Sequence, residues 1–196
     1  MQMINKTSSI ETLKKMIKIL LSENINYSIG YKNYEEYLNN PNLFLKNDIT
    51  LCLWHEDFYF LLKKYPNLFI LPDKISQKTL APFFIFDNSY ISINLIVGTN
   101  DKKISQLYKT KNYKKLVYWG GSKNHFFHYL IGIKSKRILI YDILNMLKAN
   151  RYEKFIILGK NIDEFKVFDN LNYNNRFKIN AYNHEFLAFN EYKKTG

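Results

Sequence analysis

The sequence predicts a single mixed α/β (α+β) domain with a central mixed sheet flanked by helices. Hydrophobic residues make up 46% of the 196 residues and charged residues 23%, a balance typical of a chain that buries a core. In the first hundred residues, segments of helical periodicity alternate with short runs of β-forming residues. No linker or internal repeat divides the chain, so one domain over residues 1–196 is the simplest interpretation.

The predicted helices rest on amphipathic spacing between capping residues. Ser8 and Glu11 stand at capping-box spacing. Apolar residues then recur every three or four positions, which predicts a helix over residues 9–23. Asn, Asp and Pro residues bound the other helical segments. These further predicted helices are residues 31–38, 58–65 and a segment that ends near Lys148.

The predicted strands are runs of β-branched and aromatic residues bounded by turn residues, with 47–54 as the central strand. Residues 82–98 predict a hairpin, because Asp87-Asn88-Ser89 supply turn residues between two apolar strands. The tail from Asp169 has weak periodicity, so we expect it to wrap the surface of the domain rather than form a core. The remaining predicted strands are 25–29, 68–71, 116–119, 137–141 and 155–158.

The net charge favours a polyanionic partner. There are 29 Lys and Arg against 17 Asp and Glu, which gives +12. Ten of these cations and no acid fall between Lys102 and Tyr141, interleaved with aromatic residues as in single-strand nucleic-acid binders. The alternative is an ordinary solvated lysine surface, since the composition is that of an AT-rich genome.

Cysteine usage and hydropathy bear on the compartment. The lone Cys52 lies in an apolar run and has no partner for a disulfide, which fits a reducing environment. No secretory signal is recognisable at the start, and the apolar stretches fall well short of the roughly 20 residues that span a bilayer. We therefore expect a cytoplasmic protein without a transmembrane segment.

Glycine and acidic residues in the first half carry a family resemblance. The run Asn47-Asp48-Ile49-Thr50-Leu51 is followed by His55-Glu56-Asp57-Phe58, and Gly30 lies 18 residues before Asp48. With the order of predicted elements, this pattern resembles the nucleotidyltransferase superfamily and, within it, the LicD-type phosphotransferases. The resemblance covers roughly residues 10–97, and it implies a nucleotidyltransferase-like core over residues 1–100.

The resemblance implies a metal site on the central strand. In that superfamily, carboxylates at positions i and i+2 of one strand and a third carboxylate on a later strand hold Mg²⁺, because residues i and i+2 share a face. Two Mg²⁺ ions then neutralise phosphate charge and activate the attacking oxygen. Asp48 is thus the expected metal ligand and catalytic residue, with Asn94 or Asp87 assisting and Gly30 at the substrate-binding turn.

The chain departs from the family pattern at its acidic positions. Thr50 replaces the second metal-binding acid, and Asn47 replaces another. Ser92 and Asn94 align best with the third. Two alternatives stay open: one-metal chemistry at Asp48, or a member that has lost catalysis. The plain structural interpretation of Asp48 is a residue at the start of a strand whose carboxylate caps a turn.

Residues in the basic segment supply further candidates. Lys123 follows Gly120-Gly121, a loop that can hold a phosphate through its N–H groups or form an ordinary turn. Lys114 and Lys115 are the other expected substrate-binding residues. His125 and His128 stand three apart, but zinc would need further ligands that the sequence does not supply.

Two functional hypotheses follow. The first is a LicD-like transferase of the nucleotidyltransferase fold that uses Mg²⁺ and acts on a phosphate-bearing small molecule or nucleotide, as in the modification of cell-surface glycans. In it, a basic C-terminal part over residues 101–196 packs on the core. The second is a non-enzymatic module, for example from a phage or mobile element, that binds nucleic acid or protein through Lys102–Arg137.

Overall fold

The computed structural model describes residues 6–45, 48–71, 81–109, 140–160 and 162–194. Within these residues, five helices accompany a seven-stranded mixed sheet and a separate two-stranded hairpin. The predicted α+β class and the central mixed sheet flanked by helices are confirmed. In the described part of the chain, none of the helices has the length and apolarity needed to cross a membrane.

The elements follow the chain in an order that begins with alternating helices and strands. The helices are α1 (Lys6–Ser22), α2 (Tyr31–Asn39), α3 (His55–Lys64), α4 (residues 101–109) and α5 (Ile140–Leu147). The strands are β1 (Ser28–Ile29), β2 (Thr50–Trp54), β3 (Phe69–Ile70), β4 (Phe83–Phe86), β5 (Ser89–Thr99), β6 (Lys154–Leu158), β7 (Lys166–Phe168), β8 (Arg176–Ala181) and β9 (His184–Phe189). Short 3-10 turns occupy Pro41–Leu43, Pro66–Leu68, Ile162–Glu164 and Asn190–Lys194.

The main sheet is built around the long strand β5. On one side β2 runs parallel to it, with Thr50 beside Ser92 and Trp54 beside Ile96. On the other side, β4 pairs antiparallel with the first half of β5 and β6 with the second half. Strand β1 extends the sheet beyond β2, β3 beyond β4, and β7 beyond β6. Facing residues in this pairing project from the same face, so the register decides which side chains meet.

Helix α1 covers one face of the sheet. The Ser9 hydroxyl lies 3.0 Å from that of Ser89, and the Thr12 hydroxyl donates to the carbonyl of Phe86 at 3.2 Å. Because side chains alternate along β5, the face that carries Ser89 also carries its buried Ile91, Ile93, Leu95 and Val97. The opposite face carries Thr50 and Cys52 of β2 with Ser92 and Asn94 of β5.

The C-terminal segment covers that opposite face. Tyr192, in the last 3-10 turn, is 1% exposed, and its hydroxyl lies 3.4 Å from Cys52 Sγ. Its ring lies edge-on to that of Tyr31, with centroids 5.2 Å apart. Burial raises the pKa of the Cys52 thiol to about 12, so the cysteine is a protonated, buried core residue.

The expectation that the tail from Asp169 wraps the surface of the domain and forms no core was therefore wrong. Residues after Asp169 form the β8–β9 hairpin and bury Phe186 and Phe189 completely. The hairpin turns at Tyr182-Asn183, both in the left-handed region with φ of 52° and 55°. Such a turn usually carries Asn-Gly or Asp-Gly. Because Tyr182-Asn183 lacks the glycine, the sequence did not indicate a hairpin here.

Four other elements differ from expectation. Helix α3 begins at His55 rather than after it. Residues Ile140 and Tyr141 are helical and not part of a strand, because the apolar run there has helical spacing toward Leu147. Helix α4 and strand β7 were not predicted. The candidates Lys114, Lys115 and Lys123, the histidines His125 and His128, and the predicted strand 116–119 lie outside the described residues.

Replacing the buried C-terminal aromatic tests its role in the core. Tyr192→Ala should lower the free energy of unfolding by about 3–5 kcal/mol, because a large buried side chain is lost. Tyr192→Phe should lower it by only about 1 kcal/mol, since it loses the hydroxyl alone. Urea unfolding monitored by circular dichroism measures both. The control Tyr108→Ala, at a residue 38% exposed, should change little; equal effects at the two tyrosines would contradict this account.

Candidate functional site

Gly30, Thr50 and Ser92 meet where β1 ends and β2 begins. Gly30 is the N-cap of α2, and its N–H donates to the Thr50 carbonyl at 3.0 Å. A Cβ on Gly30 would come within 1.7 Å of Thr50 Oγ1, so the close approach of α2 to β2 requires glycine. Thr50 is the direct register partner of Ser92. The structure thus brings together the glycine turn and the two positions at which the resemblance would place the second and third acids.

Asp48 pairs with a lysine and not with a second acid. Its Oδ2 lies 2.6 Å from Lys160 Nζ, at a point 112 residues further along the chain. The Asp48 side chain is 54% exposed, so this ion pair contributes at most about 1 kcal/mol to stability. The backbone N–H of Lys160 donates to Glu164 Oε2 at 3.0 Å, which anchors the loop that carries the lysine.

Asn33 of α2 fixes the start of β2. Its buried amide oxygen accepts hydrogen bonds from the backbone N–H and the hydroxyl of Thr50, both at 2.8 Å. Its amide nitrogen donates to the carbonyl of Asp48 at 2.9 Å. The Thr50 hydroxyl is therefore committed to an internal hydrogen bond. Sequence reasoning missed Asn33, since an asparagine inside a short polar helix gives no sign of burial.

Asn94 and Asp87 occupy different surroundings. Asn94 lies beside Cys52 in the β2–β5 register, and its buried Oδ1 has no hydrogen-bond partner among the described residues. Asp87 lies in the β4–β5 turn with φ of 48°, next to the Phe86 carbonyl that α1 binds. The structure thus places Asp87 on the side of α1, whereas Asp48 is tied to α2.

The donor groups around Asp48 do not fit a paired-magnesium centre. Such a centre requires several carboxylate oxygens that face the same ions. Within the described ranges, no three His, Cys, Asp or Glu side chains are grouped as metal ligands. Asp48 supplies one lysine-paired carboxylate, and Thr50 supplies a hydroxyl bonded to Asn33. Dependence on Mg²⁺ remains a prediction of the resemblance.

Positive groups surround the N-terminus of α2. Gly30 offers no side-chain cap, and the first turn of α2 contains no acid. Lys166 Nζ lies 4.8 Å from the centre of the Tyr31 ring at the first position of the helix, and Lys160 lies beside Asp48. The positive end of a helix dipole and nearby ammonium groups attract anions. We call this set of residues, Gly30, Tyr31, Lys160 and Lys166, the α2 terminus cluster.

Polar groups also gather at the other end of β2. His55 is 5% exposed, and its Nδ1 lies 2.8 Å from Glu56 Oε2 and 3.3 Å from the Ile96 carbonyl. Burial lowers the pKa of the His55 imidazole, while the negative charge of Glu56 opposes the shift. Lys148 Nζ lies 3.4 Å from the second oxygen of Glu56. These residues line a pocket that is separate from the α2 terminus cluster.

Comparisons with known proteins do not identify a family. No family model matches the sequence, and no solved structure matches it. Protein Ycf2 of Physcomitrium patens is 25% identical to it over an alignment of 182 positions, and the match covers 84% of this chain. The match takes in only 8% of the length of Ycf2.

The lowered pKa of His55 predicts pH-dependent stability. The unfolded chain takes up a proton at this histidine near pH 6.5, while the folded imidazole stays neutral to lower pH. The free energy of unfolding should therefore fall as the pH drops below about 6.5, and less so in His55→Gln. Glu56→Gln should steepen the fall, because it removes the charge that supports protonation. Urea midpoints from pH 8 to pH 5 measure this effect, and identical slopes in all three proteins would contradict it.

Proposed function

We propose that this chain is a nucleotidyltransferase-like protein that binds the phosphate of a small molecule or nucleotide at the α2 terminus cluster. The single observation that carries the proposal is the juxtaposition of Gly30, Thr50 and Ser92 at the N-terminus of α2. Nucleotidyltransferases, which the sequence resembles, hold phosphate near a glycine turn of this kind. The cluster can act through the dipole of α2 and two lysines.

Asp48 decides how the proposed ligand is held. An incoming phosphate competes with the carboxylate for Lys160, which lies 2.6 Å from it. Without a second acid nearby, the carboxylate mainly repels the anion. We therefore propose binding that needs no divalent ion. Transfer chemistry at Asp48 with Mg²⁺ is the other form of the hypothesis. The variant Asp48→Asn, described below, distinguishes the two forms.

Inorganic triphosphate is a suitable probe, because it carries the phosphate chemistry without a base. Calorimetry in low salt without Mg²⁺ should show saturable binding. Lys160→Gln and Lys166→Gln should each weaken it roughly tenfold, since each removes a charge-assisted contact. The matched control is Lys178→Gln, at an exposed lysine of β8 that pairs with Glu185. Equal losses at Lys178 and Lys160 would mean that triphosphate only responds to net charge.

Asp48→Asn separates the metal-free and the metal-dependent forms of the proposal. In the metal-free form, this variant should bind triphosphate several-fold more tightly, because it frees Lys160 and removes a repelling charge. The measurement is the same titration with and without Mg²⁺. Binding that requires Mg²⁺ in the natural protein and disappears in Asp48→Asn would instead support a metal-bearing transferase site.

The charge distribution favours a second candidate function, binding of nucleic acid. The net charge is +12, and the stretch from Lys102 to Tyr141 contains ten cations and no acid. Lys102 and Lys103 lie in α4, while Lys114 and Lys115 fall outside the described residues. A protein of this net charge can bind phosphate backbones through counterion release.

Salt titration tests the second candidate. Affinity for a single-stranded oligonucleotide should fall steeply between 50 and 200 mM salt, by about 300-fold if six phosphates are contacted. Charge reversal of both Lys114 and Lys115 to Glu should flatten the salt dependence, whereas the control Lys178→Glu should not. Fluorescence anisotropy measures the affinity, and the absence of binding in low salt would eliminate this candidate.

A further inference from the structure

A pocket of about 230 Å³ opens at the carboxyl ends of the parallel strands β2 and β5. In sheets with parallel strands, the crevice beyond these ends is a common place for ligands. It lies roughly 13 Å along β2 from Thr50, at about 3.3 Å per residue, so it is distinct from the α2 terminus cluster. Its lining residues are Trp54, His55, Glu56, Gly98, Lys148, Ala149 and Tyr152.

Two aromatic side chains form walls of this pocket. The rings of Trp54 and Tyr152 both contact Phe155, each with centroids 5.4 Å apart. The Tyr152 ring lies against Gly98, where a Cβ would come within 2.7 Å of it. Gly98 thus lets Tyr152 lie close on the β5 backbone, although the side chain remains 55% exposed. Aromatic faces of this kind stack on flat rings.

The polar groups of the pocket form a linked set. Glu56 contacts His55 Nδ1 through Oε2 at 2.8 Å and Lys148 Nζ through Oε1 at 3.4 Å. The buried His55 orients the carboxylate, because Nδ1 is also held by the Ile96 carbonyl. Glu56 is 58% and Lys148 is 56% exposed, so both remain accessible to a ligand. Each carboxylate oxygen keeps a further lone pair.

We infer that this pocket binds a guanine base. The Watson–Crick edge of guanine presents two adjacent N–H donors, N1 and N2, next to the acceptor O6. A carboxylate accepts from both donors, while an ammonium group donates to O6. Glu56 and Lys148 supply these two groups side by side, and Trp54 and Tyr152 supply the stacking faces. Adenine presents a single donor beside a ring acceptor on this edge, so only one oxygen of the carboxylate would receive a hydrogen bond.

Guanosine, which has no phosphate, tests this inference independently of the proposed function. Isothermal calorimetry should show saturable binding of guanosine at least tenfold tighter than that of adenosine. Inosine, which lacks the N2 amino group, should fall between the two. Glu56→Gln should weaken guanosine binding about tenfold, and Tyr152→Ala should weaken it fivefold or more. The matched control Glu153→Gln alters an exposed carboxylate next to Tyr152 and should have no effect.

A second variant tests the inference without altering the first turn of α3, where Glu56→Gln could affect folding. Lys148→Met keeps most of the length of the side chain and removes the donor to O6, so it should weaken the binding of guanosine and inosine alike and erase much of their advantage over adenosine. The inference is overturned by the absence of saturable guanosine binding, by equal affinities for guanosine and adenosine, or by equal losses in Glu56→Gln and Glu153→Gln. Triphosphate binding is unaffected by any of these outcomes.

Discussion

The parallel pairing of β2 with β5 is the constraint on which the rest of the structure depends. It places Thr50 beside Ser92 at one end and Trp54 beside Ile96 at the other. A shift of one residue would turn Thr50 and Cys52 toward α1 and Leu51 and Leu53 toward the C-terminal segment. Both candidate sites therefore follow from one register, since each is built at an end of the same strand pair.

Asn33 and Lys160 give the first of these sites its chemical character. The asparagine uses the hydroxyl and backbone N–H of Thr50, and the lysine neutralises Asp48. The start of β2 therefore presents polar groups that are already partnered. With Asp48 neutralised, the positive charge of Lys166 remains beside the helix terminus, and the proposal of an anionic ligand rests on it.

Much of the fold could be predicted from the sequence because its signals are local. Helical spacing located α1, the turn Asp87-Asn88 located the β4–β5 hairpin, and the β-formers before Trp54 located β2. The C-terminal hairpin could not be predicted, because its turn lacks glycine and its contacts with α2 and β1 join residues far apart in the sequence. The candidate site was harder to predict than the fold. Asp48 and Lys160 form an ion pair although 112 residues separate them in the sequence, and no spacing rule links positions so far apart.

The buried state of Cys52 has a practical consequence. It is the single cysteine of the chain, it lies under Tyr192, and burial raises its pKa to about 12, which leaves almost no thiolate at neutral pH. Alkylating reagents can reach it only after the C-terminal segment lifts from the sheet. The rate at which iodoacetamide modifies this thiol thus measures how often the C-terminal segment opens, and the measurement requires no engineered label.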